Sequence, residues 1–406
     1  MHKSQGRPMP EAPMRSVRDP RIDVLRGLAL VMIFINHVPG NALEHFTNRN
    51  WGFSDAAEGF VFLSGTAAGL AYCSGFLAAP YWPGVARVWA RARTLYFVHL
   101  STTAMAIGIF AAAALWFGLY ELLTTINLRP ALSNPLGVLI GIPTLGHQLG
   151  YFNILPLYLT LLLVTPLLIW VGMRRPYLLL AASVLVWLLA GQFRINLPNY
   201  PNPGGWFFNP LSWQIIFVLG LLTGIFLKRG ERFVPRIGWL LWLCGAWLIA
   251  TIVWKHVPGV GPAANRFMAE LGRAGVPFYV VSFDKTFVAV LRLSHFLALA
   301  YVLSCFAWVY AASESRWVEP LRLLGQNGLA VFATGSVLSV LLQAINAGIE
   351  RSLLSDLVLI GAGLGVQFAL AYGLRVTKRT QASKKAMAAK AAPQKSEEMP
   401  LTSQSP

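Results

Sequence analysis

Charge is what this chain has least of. Asp, Glu, Lys and Arg make up 12% of its 406 residues, against about 25% in a water-soluble domain. With 56% hydrophobic residues and a mean hydropathy of +0.56, that shortage excludes a soluble enzyme and a disordered polymer alike. Cysteine is also scarce. Cys73, Cys244 and Cys305 stand singly in apolar runs, so there is no CxxC pair, no His/Cys metal spacing and no disulfide framework. They read as small packing residues, and no metal site is expected. Acidic residues number 16 against 33 Lys and Arg, a formal net charge of +17. No internal repeat marks a solenoid.

What the chain does have is long apolar blocks, the mark of a polytopic helical membrane protein. The fold expected is all-α, a bundle of about ten transmembrane helices. Spans fall near 22–39, 57–79, 94–119, 152–173, 177–192, 211–227, 237–254, 286–311, 326–347 and 353–375. The stretch 1–21 is too long and basic for a signal peptide, and no cleavage site follows the first apolar run. It reads as a polar cytoplasmic tail, 22–376 as the membrane domain and 377–406 as a disordered basic tail. With the N-terminus cytoplasmic, ten spans put the C-terminus there too. Twenty-four of the 33 Lys and Arg then lie inside and eight outside. That is a positive-inside pattern for N-in, C-in, and it assigns the basic charge to the bilayer surface rather than to nucleic acid. Segment 134–149 is apolar but broken by Pro and Gly, so it reads as re-entrant or interfacial. The loop 192–210 is dense in Pro, Asn, Gly and aromatics. Its rings either anchor at the interface or stack on a sugar.

Ionisable groups inside spans are costly and mark function. Arg26 and His37 are eleven residues apart. On a helix that is roughly 20° off one face and about 16 Å along the axis. Asp23 lies on the same stripe, and Asn36 precedes His37. Either Arg26 snorkels and His37 closes the helix end, or the stripe is a polar channel with His37 as base or ligand. Asp55 and Glu58 are one turn apart at the head of the second span. They suit a helix start, and Glu58 suits orienting His37 or accepting from a sugar hydroxyl. Arg87, Arg91 and Arg93 precede the third span as a basic loop, with His99 within that span. The loop is either ordinary positive-inside charge or an anion site. Lys285, Arg292 and His295 form a cationic face. Arg292, deep in a span, needs an anionic partner: Glu58, Asp55 or a bound acyl carboxylate. His45, His147 and His256 fall in outer loops with surface roles.

These residues carry a family resemblance. RIDVLRG, with Arg26 and His37 in an Arg-x10-His arrangement, resembles the membrane-bound acyltransferase family 3. GFSDAAEGFVFLSG and DKTFVAVLRLSHFLALAY resemble more specifically the OpgC-type proteins, succinyltransferases of osmoregulated periplasmic glucans. The resemblance runs from about Arg21 to Arg375. It implies a bundle in a bacterial inner membrane, moving an acyl group from cytoplasmic acyl-CoA, with succinyl-CoA the expected co-substrate, to a periplasmic glycan hydroxyl. No bound cofactor is implied. His37 becomes the catalytic base, Arg26 its motif partner, and Arg91 or Arg93 a candidate for the CoA side. A His base suits removal of the hydroxyl proton. Asp55 or Glu58 would fix its tautomer, and Arg292, His295 or Asn36 would steady the oxyanion. Lys285 or Arg292 would meet a succinyl carboxylate. The competing reading is a proton-coupled secondary transporter, which uses the same intramembrane residue types but has paired broken helices that this sequence lacks.

Overall fold

The computed structural model describes residues 19–391. Among them the chain is helical, with one isolated β-bridge between Pro198 and Gly205. The helices are α1 (Pro20–Asn36), α2 (Ala56–Tyr72), α3 (Trp82–Phe117), α4 (Pro130–Ser133), α5 (Pro135–Gly141), α6 (Ile154–Arg174), α7 (Pro176–Phe193) and α8 (Pro210–Lys228). They continue as α9 (Gly238–His256), α10 (Val260–Arg273), α11 (Phe278–Val281), α12 (Val290–Cys305), α13 (Ala307–Glu314), α14 (Glu319–Gln326), α15 (Gly328–Ala347) and α16 (Leu353–Ala391). Proline at the first turns of α1, α3, α7 and α8 is the expected start signal. Asp19 caps α1 by accepting from the Arg21 N–H at 3.0 Å, and Asn209 caps α8 by accepting from the Leu211 N–H at 3.1 Å.

Eight of these helices are long and apolar enough to cross a membrane, or nine if the bent pair α12–α13 is one span. The chain is therefore a multi-pass membrane protein. Ten spans were expected. The shortfall lies at α1, whose 17 residues include Arg21, Asp23 and Arg26, and at α12–α13, which bends by 74° at a break. No proline causes that break. Instead, the Ser304 carbonyl accepts from Arg21 Nη1 at 3.3 Å and Arg232 Nη1 at 3.1 Å. Two guanidinium groups replace the missing helical donor.

Two expectations are corrected. The arginines Arg87, Arg91 and Arg93 are not in a loop, because α3 already begins at Trp82. The tail expected to be disordered from 377 continues α16 as helix to Ala391. Its Lys, Ala and Gln are good helix formers; the rest of that tail lies outside the described residues, as does the start of the N-terminal one. Segment 134–149, expected to be re-entrant or interfacial, holds the short α5 and then irregular chain in which His147 is buried.

The core centres on α2 against α8. Four glycines let these backbones touch. A Cβ at Gly65 would stand 2.2 Å from the Phe217 carbonyl oxygen, and one at Gly220 would stand 2.1 Å from that of Phe62. Small residues are how membrane helices gain contact without a hydrophobic driving force. Helix α1 docks on α14 the same way, with Gly27 on Leu321 and Gly325 on Asp23. Trp213 and Phe217 of α8 are fully buried beside this seam. Gly220→Leu should therefore cost about 3 kcal/mol of stability by overpacking, read by tryptophan fluorescence during unfolding in detergent. Gly361→Leu, where a Cβ meets nothing within 4 Å, should be nearly neutral.

Candidate functional site

The segment from Gly52 to Glu58 enters α2 through a capping box. Asp55 accepts from the Ala57 N–H at 2.8 Å, and Glu58 accepts from the Asp55 N–H at 2.9 Å. Each carboxylate has a second duty. Arg292 donates through Nε and Nη2 to Glu58 Oε1, at 2.9 and 2.5 Å, and through Nη2 to Asp55 Oδ2 at 3.2 Å. Lys285 Nζ meets Asp55 Oδ2 at 2.5 Å. Glu58 is fully buried and Arg292 nearly so. The four groups sum to zero charge, which limits the cost of burying them. Burial alone would raise the Asp55 carboxyl; the Lys285 ammonium and the Arg292 guanidinium outweigh it and hold the group below the usual carboxylate range. Lys285 acts from the turn before α12, not from the helical face that its seven-residue spacing from Arg292 suggested.

Asp55, Lys285 and Arg292 of this cluster form one wall of a cavity of about 1270 Å³. His37, at the C-terminal end of α1, forms another, and Asn36 is beside it. The His37 carbonyl accepts from Gln343 Nε2 at 2.7 Å, and its ring lies 4.6 Å from that of Tyr151. Among the described residues nothing bonds its ring nitrogens, and Asp55 and Glu58 are committed to Lys285 and Arg292. The expected role of those acids as orienting partners of His37 is thereby corrected. The remaining walls carry amides, Asn127, Gln148, Asn153, Asn199 and Asn265, and rings, Phe53, Phe207, Phe208 and Trp254. Lys285 lies 5.4 Å from the Phe208 ring centre, a cation–π contact. Trp206 is buried, with Nε1 donating to the Pro198 carbonyl at 3.1 Å, so the loop 192–210 uses this ring for packing and Phe207 and Phe208 to line the cavity. Arg49 and Lys255 line it too; Lys255 Nζ donates to the carbonyls of Arg49 and Gly52 at 2.7 and 2.8 Å.

Arg26 is far from this cavity. It donates to the Leu63 carbonyl at 2.8 Å and lines a second, narrower cavity of about 290 Å³ together with Arg91. The shared helical face is real, but its two ends serve different spaces. Asp23 is buried against α14 and lines neither cavity; Arg93 is exposed and lines neither. His295 is also off the site. Its Nδ1 meets Ser54 Oγ at 2.8 Å and accepts from the Ser54 N–H at 3.3 Å, while Gly52 lies against Nε2. The loop 52–54 covers it, so it positions that loop. His99 and His147 are fully buried with ring nitrogens that have no partner among the described residues. Burial lowers the His147 imidazole, which corrects its expected surface role. Cavity-lining amides escaped the sequence reading because Asn in loops is first a turn former.

Removing one member of the ion cluster leaves it with an unbalanced charge. Glu58→Leu alone should lose about 3–5 kcal/mol. The double variant Glu58→Leu, Arg292→Met should lose less than that single variant, in a cycle measured by detergent unfolding. Additive losses would mean the pair is not coupled.

No curated protein and no solved structure matches the chain. A family model described as OpgC protein matches residues 18–379, nearly the whole described region and both sequence blocks that build the ion cluster. The chain belongs to the OpgC family.

Proposed function

We propose that this protein is an integral membrane O-acyltransferase that moves an acyl group, succinyl in the reading favoured here, from cytoplasmic acyl-CoA to a hydroxyl of a periplasmic glycan. Its membrane is the bacterial inner membrane, with both termini cytoplasmic. One observation carries the reading. An imidazole whose ring nitrogens have no hydrogen-bond partner among the described residues faces a cavity that carries, beside the ion cluster, amides and aromatic rings. Amides pair with hydroxyls, and rings stack on the apolar faces of sugars. A proton relay for transport would not need either.

The chemistry follows from these positions. A ring nitrogen of His37 takes the proton of an acceptor hydroxyl as its oxygen attacks the thioester carbonyl. The carbon–oxygen bond forms, negative charge moves to the carbonyl oxygen, and the Asn36 amide is beside His37 to donate to it. Collapse breaks the carbon–sulfur bond, and the thiolate recovers the proton from the imidazolium. The ion cluster contributes a fixed, neutral wall. Because Lys285 and Arg292 already share Asp55 and Glu58, the cations that face the same cavity without a carboxylate among the described residues, Lys255 and Arg49, suit a succinyl carboxylate better.

Purified protein in lipid, given radiolabelled succinyl-CoA and a periplasmic glycan extract, should transfer label to glycan. His37→Ala should reduce transfer by about 10²–10⁴-fold while the protein stays folded. No transfer from succinyl- or acetyl-CoA by folded protein would move the reading to transport. Lys255→Gln, which keeps an amide donor for the two carbonyls, should lower kcat/KM for succinyl-CoA at least tenfold relative to acetyl-CoA. An unchanged ratio would remove Lys255 from acyl selection.

A further inference from the structure

The two cavities share two lining side chains, Ile154 and Phe332. Phe60, on the narrow side, sets its ring 5.8 Å from that of Phe332. The partition is thus one layer of apolar side chains. His37 and Ala57 line one side of it, Arg26 and Tyr72 the other. Helix α1 runs from Arg26 towards His37, and α2 runs from Ala57 towards Tyr72. The cavities therefore lie at successive depths between the same two helices.

We propose that the narrow cavity is a binding site for the slender thiol arm of an acyl thioester donor. Phe332 and Ile154 are the side chains that part to let the thioester reach His37. This rests on the acyltransferase reading. Size favours an arm over other ligands. At about 290 Å³ the cavity is less than a quarter of its neighbour, enough for a chain and too little for a glycan. Ala67, Ala68, Ala71 and Gly328 keep its walls thin. The polar groups match too. Ser64, Gln326 and the phenols of Tyr72 and Tyr158 can bond amides along such an arm. Arg91 lines the cavity and no carboxylate among the described residues does, which suits a donor whose anionic head stays outside. The partition itself is held by packing alone, so opening it breaks no hydrogen bond of these side chains. Closed, it keeps water from a thioester that would otherwise hydrolyse.

The test is cysteine reactivity in the full chain, reconstituted in vesicles with Cys73, Cys244 and Cys305 replaced by Ala. The probe is a small anionic, membrane-impermeant methanethiosulfonate. Ser64→Cys should react only from the face on which Arg91 lies, and a non-reactive thioether analogue of succinyl-CoA should slow that reaction at least tenfold. Asn36→Cys should react only from the opposite face. Adding Phe332→Ala, or Ile154→Ala if the first does not fold, should make Asn36→Cys reactive from both faces, with at least a tenfold gain on the Arg91 side. A Ser64→Cys that is inert or unprotected overturns the site. An Asn36→Cys already reactive from both faces, or sealed in both partition variants, overturns the partition. Labelling needs no turnover. The predicted pattern without any acyl transfer would keep the partition and remove the enzyme reading, whereas transfer without protection would remove only this site.

Discussion

A guanidinium inside a helical bundle must find an anion, and much of this site follows from how Arg292 finds one. Its Nε and Nη2 close on Glu58 while Nη2 also reaches Asp55, which Lys285 holds from the other side. Glu58 is in the first turn of α2, and Arg292 is in the first turn of α12. The interaction therefore pins two helix starts, distant in sequence, at one depth. The same carboxylates cap α2, so helix nucleation and ion pairing are a single arrangement. Replacing any one group would leave the cluster with one unbalanced, largely buried charge, which costs more than the intact cluster contributes.

With that end fixed, the rest of the site is placed by backbone contact. Glycine seams bring α2 onto α8 and α1 onto α14 at carbonyl distance. The first seam sets the cavity wall that carries Asp55 and Ala57. The second sets α1, and through it both His37 and Arg26. Helix α1 and its C-cap residue His37 thus set an imidazole at one cavity and a guanidinium at the other, with an apolar partition between them. A bundle that must carry out polar chemistry and keep a bilayer sealed needs that separation.

The sequence made some of this legible. A buried charge demands a partner, so Arg292 with Glu58 or Asp55 could be named from residue type and hydropathy alone. Gly65 and Gly69 are four residues apart, the small-residue spacing of close helix contact. Helical periodicity misled where the backbone was not helical: Lys285 sits in a turn, and its alignment with Arg292 was a coincidence of spacing. It also misled at His295, which shares a helix with Arg292 but is covered by the loop at Gly52. The amides Asn127, Asn153, Asn199 and Asn265 were illegible because three separate connections and the exposed α10 bring them together, and no local pattern encodes a meeting of loops. The helical stretch beyond residue 377 was missed because low hydropathy was read as disorder, although Ala and Lys favour helix.

The proposed chemistry requires the donor to reach the His37 cavity from the Arg91 side. A structure of the protein in lipid with a non-reactive thioether analogue of succinyl-CoA tests it most directly. The arm is expected between Arg91 and Phe332, with the acyl carbon within about 3–3.5 Å of a position where a hydroxyl bonded to His37 would attack. An analogue bound elsewhere, or an acyl end stopped short of the His37 cavity, would contradict it.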